Sequence, residues 1–292
     1  MSTSTDEDTR GGPPLPPGRY VGLKGRGSAW VWEAAGPVSA PTLLLLHGWM
    51  ATAALNWYPA LPALGERYRV VAMDMRGHGR GVQSRRPFRL EDCADDAAAL
   101  CRQLDLPPVI AVGYSMGGPV AQLLWQRQPG SVAGLVLCAT AGLFTSPSRL
   151  STAVQVFGRS LALGVGALPR GAQQELARMA LPDRMEATPM AAWASVERRP
   201  SDLGALIGAG VALRGWNGEH WLRTIDVPVA VVTTTGDRVV APWRQRLMAA
   251  AIPGARVFSV AADHGACIDR SDLFVPALVD ACDYVAAEAE CY

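Results

Sequence analysis

The residues with the clearest capacity for chemistry are Gly113-Tyr114-Ser115-Met116-Gly117-Gly118. They stand between an apolar, β-rich run, Pro108 to Val112, and a helical run, Pro119 to Gln128. G-x-S-x-G between a strand and a helix is the pattern of a nucleophile elbow. The turn is so sharp that side chains at positions 113 and 117 would meet neighbouring backbone, and the serine is expected in a strained conformation. Such a turn presents Ser115 Oγ at the mouth of a helix, with the Met116 amide beside it to receive a developing oxyanion. Glycine-rich turns of this kind also bind phosphate, so the rest of the chain has to decide between the two.

A serine nucleophile needs a base in hydrogen-bond reach, and the base needs an acid to fix its tautomer. The chain has four histidines: His47, His78, His220 and His264. His264, in Ala262-Asp263-His264-Gly265-Ala266, follows the last predicted strand and precedes the last predicted helix. A loop there leaves the same sheet edge as Ser115, so His264 is the expected base. Val231 to Thr235 reads as a strand followed by Gly236-Asp237-Arg238, which makes Asp237 the expected acid. Asp263 is the neighbour of His264, and a sequence neighbour rarely points at the ring's Nδ1. Asp74 ends an earlier strand and reads as structural, and the loop after Val132 to Cys138 offers no acid. A second oxyanion donor is expected after Leu43-Leu44-Leu45-Leu46, in His47-Gly48-Trp49-Met50. Gly48 allows a tight turn that aims the Trp49 amide inward, while the Trp49 side chain forms part of a pocket wall. His47 is expected to bond within its own loop.

These loops need elements to position them. Arg19 to Leu23 and Ala29 to Glu33 read as an antiparallel pair. Thr42 to Leu46, Arg69 to Met73, Pro108 to Val112, Val132 to Cys138, Val229 to Thr235 and Ala255 to Val260 read as buried strands. Helices are expected at Ala53 to Leu64, Leu90 to Leu104, Pro119 to Gln128, Pro242 to Ala251 and Asp272 to Ala287. Buried runs alternating with helices imply a mostly parallel central sheet with helices on both faces, an α/β fold. The alternation breaks over residues 141–223, which are helical in flavour and too long for a loop. We read them as an inserted helical cap, in which Met179, Met185, Met190, Trp193, Trp216 and Trp221 are pocket or packing residues. Residues 20–140 and 224–292 are the core, and residues 1–19 have the composition of a disordered tail.

Bulk properties bound the function. A chain of 292 residues, 49% hydrophobic, can bury a large core, and a net charge of +1 argues against a nucleic-acid partner. The first residues have no apolar signal segment and the chain no long uncharged apolar run, so neither secretion nor stable membrane anchoring is expected; a cytoplasmic protein is. The six cysteines, Cys93, Cys101, Cys138, Cys267, Cys282 and Cys291, form no C-x-x-C pair and no metal-ligand spacing. Reduced, mostly buried thiols are expected.

Taken jointly, His47-Gly48-Trp49, Asp74-Met75-Arg76-Gly77-His78-Gly79, Gly113 to Gly118, Gly236-Asp237 and Asp263-His264-Gly265 resemble the α/β-hydrolase fold, in its capped, single-domain, esterase-like form. The order Ser115, Asp237, His264 is the order of that family. The Asp74 to Gly79 segment is similar to a turn that is normally structural in it. One departure is Gly81, where many relatives carry serine. The resemblance implies hydrolysis of a carboxylic ester through an acyl-enzyme on Ser115, with no metal or organic cofactor. The same residues would serve a carbon–carbon bond hydrolase, a lactonase, a thioesterase or a cofactor-free perhydrolase. A ligand-binding protein of this fold is the alternative of a different class. The apolar cap favours a lipophilic small-molecule ester, and oligomeric state stays open.

Overall fold

A computed structural model describes residues 12–145, 149–180 and 188–290. Residues 1–11 of the expected tail therefore lie outside the described residues. Residues 12–17 carry no regular structure, and the first strand starts at Gly18.

The sheet has eight strands: β1 (Gly18–Leu23), β2 (Gly27–Ala34), β3 (Thr42–Leu46), β4 (Arg69–Met73), β5 (Val109–Tyr114), β6 (Val132–Cys138), β7 (Val229–Thr234) and β8 (Arg256–Val260). Their order is β1-β2-β4-β3-β5-β6-β7-β8. The pairings β1–β2 and β2–β4 are antiparallel, and all others are parallel. Every residue of β3, β5 and β7 is buried, as expected of strands covered on both faces.

Period-two alternation sorts the inner strands between two cores. Leu44, Leu46 and Val231 face a core shared with α3 (Leu90–Gln103), α4 (Gly117–Arg127) and α9 (Pro242–Ala251). Leu43, Leu45 and Val232 face the other, shared with α1 (Ala53–Trp57), α2 (Leu61–Gly65) and α11 (Ser271–Ala289). The sequence predicts one helix where α1 and α2 lie. Pro59 interrupts it, because proline has no N–H to give the carbonyl of Leu55 and its ring crowds that turn. The short α10 (Ala266–Asp269), not expected from sequence, follows the His264 loop.

Between β6 and β7 run α5 (Arg149–Gly166), α6 (Arg170–Ala180), α7 (Pro189–Arg198) and α8 (Leu203–Arg214). Among the described residues this segment has no strand, only an isolated bridge between Leu143 and Asn217. That bridge, with Gly218 N–H donating to the Gly142 carbonyl at 2.8 Å, ties the ends of the segment together. Trp193 and Trp216 are buried, Trp221 is half-buried and Met190 is exposed. Trp193 packs edge-on against Tyr58, and Trp216 against Trp221, so these tryptophans serve packing. Met185 lies outside the described residues, and so does the Met179 side chain.

Candidate active site

The elbow is built by backbone crowding. β5 runs two residues beyond its predicted end, to Tyr114, and α4 starts at Gly117. Ser115 between them has φ 51°. A non-glycine residue rarely takes that conformation, and it persists where surrounding structure enforces it. A Cβ at Gly113 would run into the Gly117 carbonyl, one at Gly117 into the Leu46 carbonyl, and one at Gly118 into the Thr140 hydroxyl. The serine's own backbone is fixed too. Its N–H donates to the Cys138 carbonyl (2.9 Å), and its carbonyl accepts from Thr140 Oγ (2.8 Å).

The loops after β7 and β8 meet beside Ser115 Oγ. His264 Nε2 lies 2.9 Å from Ser115 Oγ, and His264 Nδ1 lies 2.7 Å from Asp237 Oδ2. The two loops are joined by Gly236 N–H donating to the Ala262 carbonyl at 3.0 Å and Arg238 N–H donating to Asp263 Oδ1 at 2.9 Å. Asp263 Oδ1 also accepts the His264 N–H at 2.7 Å, so Asp263 holds main chain rather than the imidazole.

Asp237 Oδ1 accepts the Val239 and Val240 amides, each at 2.8 Å. Its Oδ2 accepts Thr234 Oγ at 2.7 Å and Gln245 Nε2 at 3.1 Å. Burial alone would raise its pKa, but the bonds and charge from His264, with those from Thr234 and Val240, outweigh it and hold the carboxyl below its ordinary value. The acid is thus an ionised acceptor with its oxygens committed.

The loop after β3 abuts the elbow. A Cβ at Gly48 would sit 3.4 Å from Ser115 Cβ, and the Gly48 N–H donates to Asn56 Oδ1 at 2.9 Å. Among the described residues the Trp49 and Met116 amides donate to no protein acceptor. The Trp49 indole turns outward and donates to the Leu206 carbonyl on α8 at 2.8 Å.

His47 and His78 lie within the structure of the loops. His47 Nδ1 bonds to the Gly48 carbonyl at 2.8 Å, and its Nε2 accepts the Met75 N–H at 2.9 Å. Burial and then the neighbouring His78 lower its pKa to about 3, which leaves it neutral. His78 Nδ1 bonds to the Arg76 carbonyl at 3.0 Å, and burial lowers its pKa to about 4. Asp74 is fully buried and accepts the Ala53 and Arg80 amides at 2.8 and 2.9 Å. Arg76 makes paired 2.8 Å bonds to buried Asp96. The remaining histidine, His220, rests its ring on Trp221, with centroids 4.3 Å apart.

Sequence reasoning did not single out Thr234, Gln245, Asn56 or Tyr114. Thr234 and Gln245 brace Asp237, Asn56 braces Gly48, and Tyr114 Oη donates to the His264 carbonyl at 2.6 Å. A polar side chain in the buried strand β7, and a glutamine one helical turn inside α9, were the available signals. Among the described residues no group of three or more His, Cys, Asp or Glu is placed to hold a metal ion. No described helix is long and apolar enough to cross a membrane. Cys93, Cys101, Cys138, Cys267 and Cys282 are buried free thiols.

Residues 41–271 match the alpha/beta hydrolase fold family, and the chain belongs to it. It is 30% identical over 236 residues to a magnesium-chelatase 30 kDa subunit of Rhodobacter capsulatus, covering 72% of this chain and 75% of the relative. It is 29% identical over 250 residues to a poly(3-hydroxyalkanoate) depolymerase of Ectopseudomonas oleovorans, covering 81% and 82%. Among solved structures, an enol-lactonase from Burkholderia xenovorans LB400 superposes with a TM-score of 0.70 at 26% identity, covering 91% of this chain and all (100%) of the other.

Proposed function

We propose that this protein is a serine hydrolase that cleaves a carboxylic ester, with Ser115 as nucleophile, His264 as general base and acid, and Asp237 as the acid partner. The observation that carries the reading is the unbroken hydrogen-bonded series Ser115 Oγ–His264–Asp237, with spacings of 2.9 and 2.7 Å. His264 takes the proton of Ser115 as Oγ attacks the carbonyl carbon. The amides of Trp49 and Met116 receive the oxyanion, and each such donor is worth roughly 2.7–4 kcal/mol to the transition state. His264 then protonates the leaving alkoxide, which departs as alcohol. Water, deprotonated by the same imidazole, attacks the acyl-enzyme and releases the acid while Ser115 regains its proton. No step calls for a metal or an organic cofactor.

The helices between β6 and β7 act in this reading as a cap over a small-molecule site. The exposed Trp49 and Met50 at its rim favour an apolar ester. Family membership and the likeness to a polyester depolymerase and an enol-lactonase support hydrolysis of an acyl–oxygen bond. The likeness to a chelatase subunit is what a non-catalytic role would draw on. A protein that only binds has no need of a strained serine already bonded to a histidine–aspartate pair.

The test is hydrolysis of p-nitrophenyl esters of graded acyl length by wild type and Ser115→Ala. Activity confined to wild type is expected, with a chain-length optimum that sizes the pocket. Equal activity in both proteins would end the proposal.

A further inference from the structure

We infer that Tyr114, the residue between Gly113 and the serine, is a positioning residue whose hydroxyl holds the main chain of His264 so that the imidazole bridges Ser115 and Asp237. The inference rests on the roles proposed above for those three residues. Tyr114 ends β5, and β6 and β7 separate β5 from β8, whose following loop carries His264. Ser115 presents Oγ at the edge of the sheet. Tyr114, one residue earlier, sends its side chain into the core shared with α11. From there its hydroxyl donates to the His264 carbonyl at 2.6 Å.

The ring is fixed by its surroundings. It is 3% exposed and meets Trp57 and Phe274 edge-on, with centroids 6.1 and 5.5 Å away. Burial first, and then Cys267 beside it, keep the phenol protonated, so it is a donor throughout the working pH range. On the other side, the His264 N–H donates to Asp263 Oδ1 at 2.7 Å. Both main-chain polar groups of His264 are therefore held, one from the buried strand end and one from the exposed loop. Two short hydrogen bonds at one imidazole, one accepted from Ser115 and one donated to Asp237, demand that accuracy, since a displacement of about an ångström can cost up to roughly a hundredfold in rate.

Tyr114→Phe tests this, because it keeps the ring and its aromatic contacts and removes only the hydroxyl. Expected are a fall in kcat of roughly tenfold to a hundredfold with KM for p-nitrophenyl acetate little changed. Expected too is a shifted or broadened low-field proton resonance of His264 Nδ1 in the free enzyme. A packing role alone would move neither. Unchanged kcat and resonance in Tyr114→Phe, with activity lost in Ser115→Ala, overturn this inference and leave the serine reading intact. Activity surviving in Ser115→Ala overturns both. Should Tyr114→Phe not fold, 3-fluorotyrosine at position 114 keeps ring and hydroxyl but donates more strongly. It should move the His264 resonance, and an unmoved resonance overturns the inference.

Discussion

The carboxyl edge of the sheet and the helical segment between β6 and β7 are held by different forces. At the edge, directional bonds dominate: Asp237 alone accepts two amides, a hydroxyl, a side-chain amide and an imidazole. In the helical segment, close packing of small residues dominates. Gly204 lies against Gly166, Gly158 against Val211, and Gly208 against Phe88.

The segment is itself divided. α7 and α8 are fastened to the core through Arg80 to Glu197 (2.6 Å), Gly79 N–H to Ser201 Oγ (2.8 Å), Asp202 N–H to the Gly77 carbonyl (2.9 Å) and Trp49 to Leu206 (2.8 Å). α5 packs on α8 and turns Val156 and Phe157 to solvent, 63% and 71% exposed. Under the proposed function, reaction chemistry and substrate shape fall to different parts of the chain, held by different physics. A polar network tolerates almost no change. A small-residue helical interface can change shape without disturbing it.

Asp237→Asn keeps the volume but offers His264 the wrong tautomer, and kcat should fall by about 10⁴ with the fold intact by circular dichroism. Retained activity would mean that the polar edge is not the catalytic one. Trp193→Ala, inside the fastened part of the segment, should cost about 3–5 kcal/mol of stability in urea unfolding while leaving the Ser115–His264 chemistry in place. Gly210→Val probes where the two regions touch. A Cβ at Gly210 would stand 2.8 Å from Trp49 Cζ2, so the indole must shift and strain its hydrogen bond to the Leu206 carbonyl. A loss of about tenfold in kcat/KM is expected from stopped-flow ester hydrolysis.

Acid should act on the edge through its buried histidines. Burial, joined for His47 by the charge of His78, lowers the two pKa values from 6.5 to about 3 and about 4. Below 6.5 the unfolded chain binds protons that the folded chain refuses, so stability is full above that pH and declines as pH falls. Thermal midpoints should therefore drop between pH 7 and pH 5, less steeply in His78→Gln. The smallest effect is expected at the outer helix, where Phe157→Glu should change stability by no more than about 0.5 kcal/mol.

The same division governs what could be read from sequence. The convergence of Ser115, His264 and Asp237 on one sheet edge, and the crowding at Gly48 and the turn glycines, were legible because backbone crowding and hydrogen-bond chemistry leave few residue types that fit. All of the predicted strands appear, and the buried parallel ones, β3 to β7, are continuous apolar runs. The break between α1 and α2 needed the local effect of Pro59 to be weighed against a convincing helical pattern. Thr234, Gln245 and Tyr114 were missed because their roles exist only once β5, β7, β8 and α9 are side by side. The orientations of α5 to α8 were not legible, since alanine, glycine and leucine fit many packings equally well.

Reaction with a fluorophosphonate, followed by intact and peptide mass spectrometry, reads the nucleophile itself. One phosphonyl group per chain, on Ser115, with labelling lost in Ser115→Ala and strongly slowed in His264→Ala, is the predicted result. A label on another residue, or one unaffected by removing His264, would rule out a Ser115 nucleophile activated by His264.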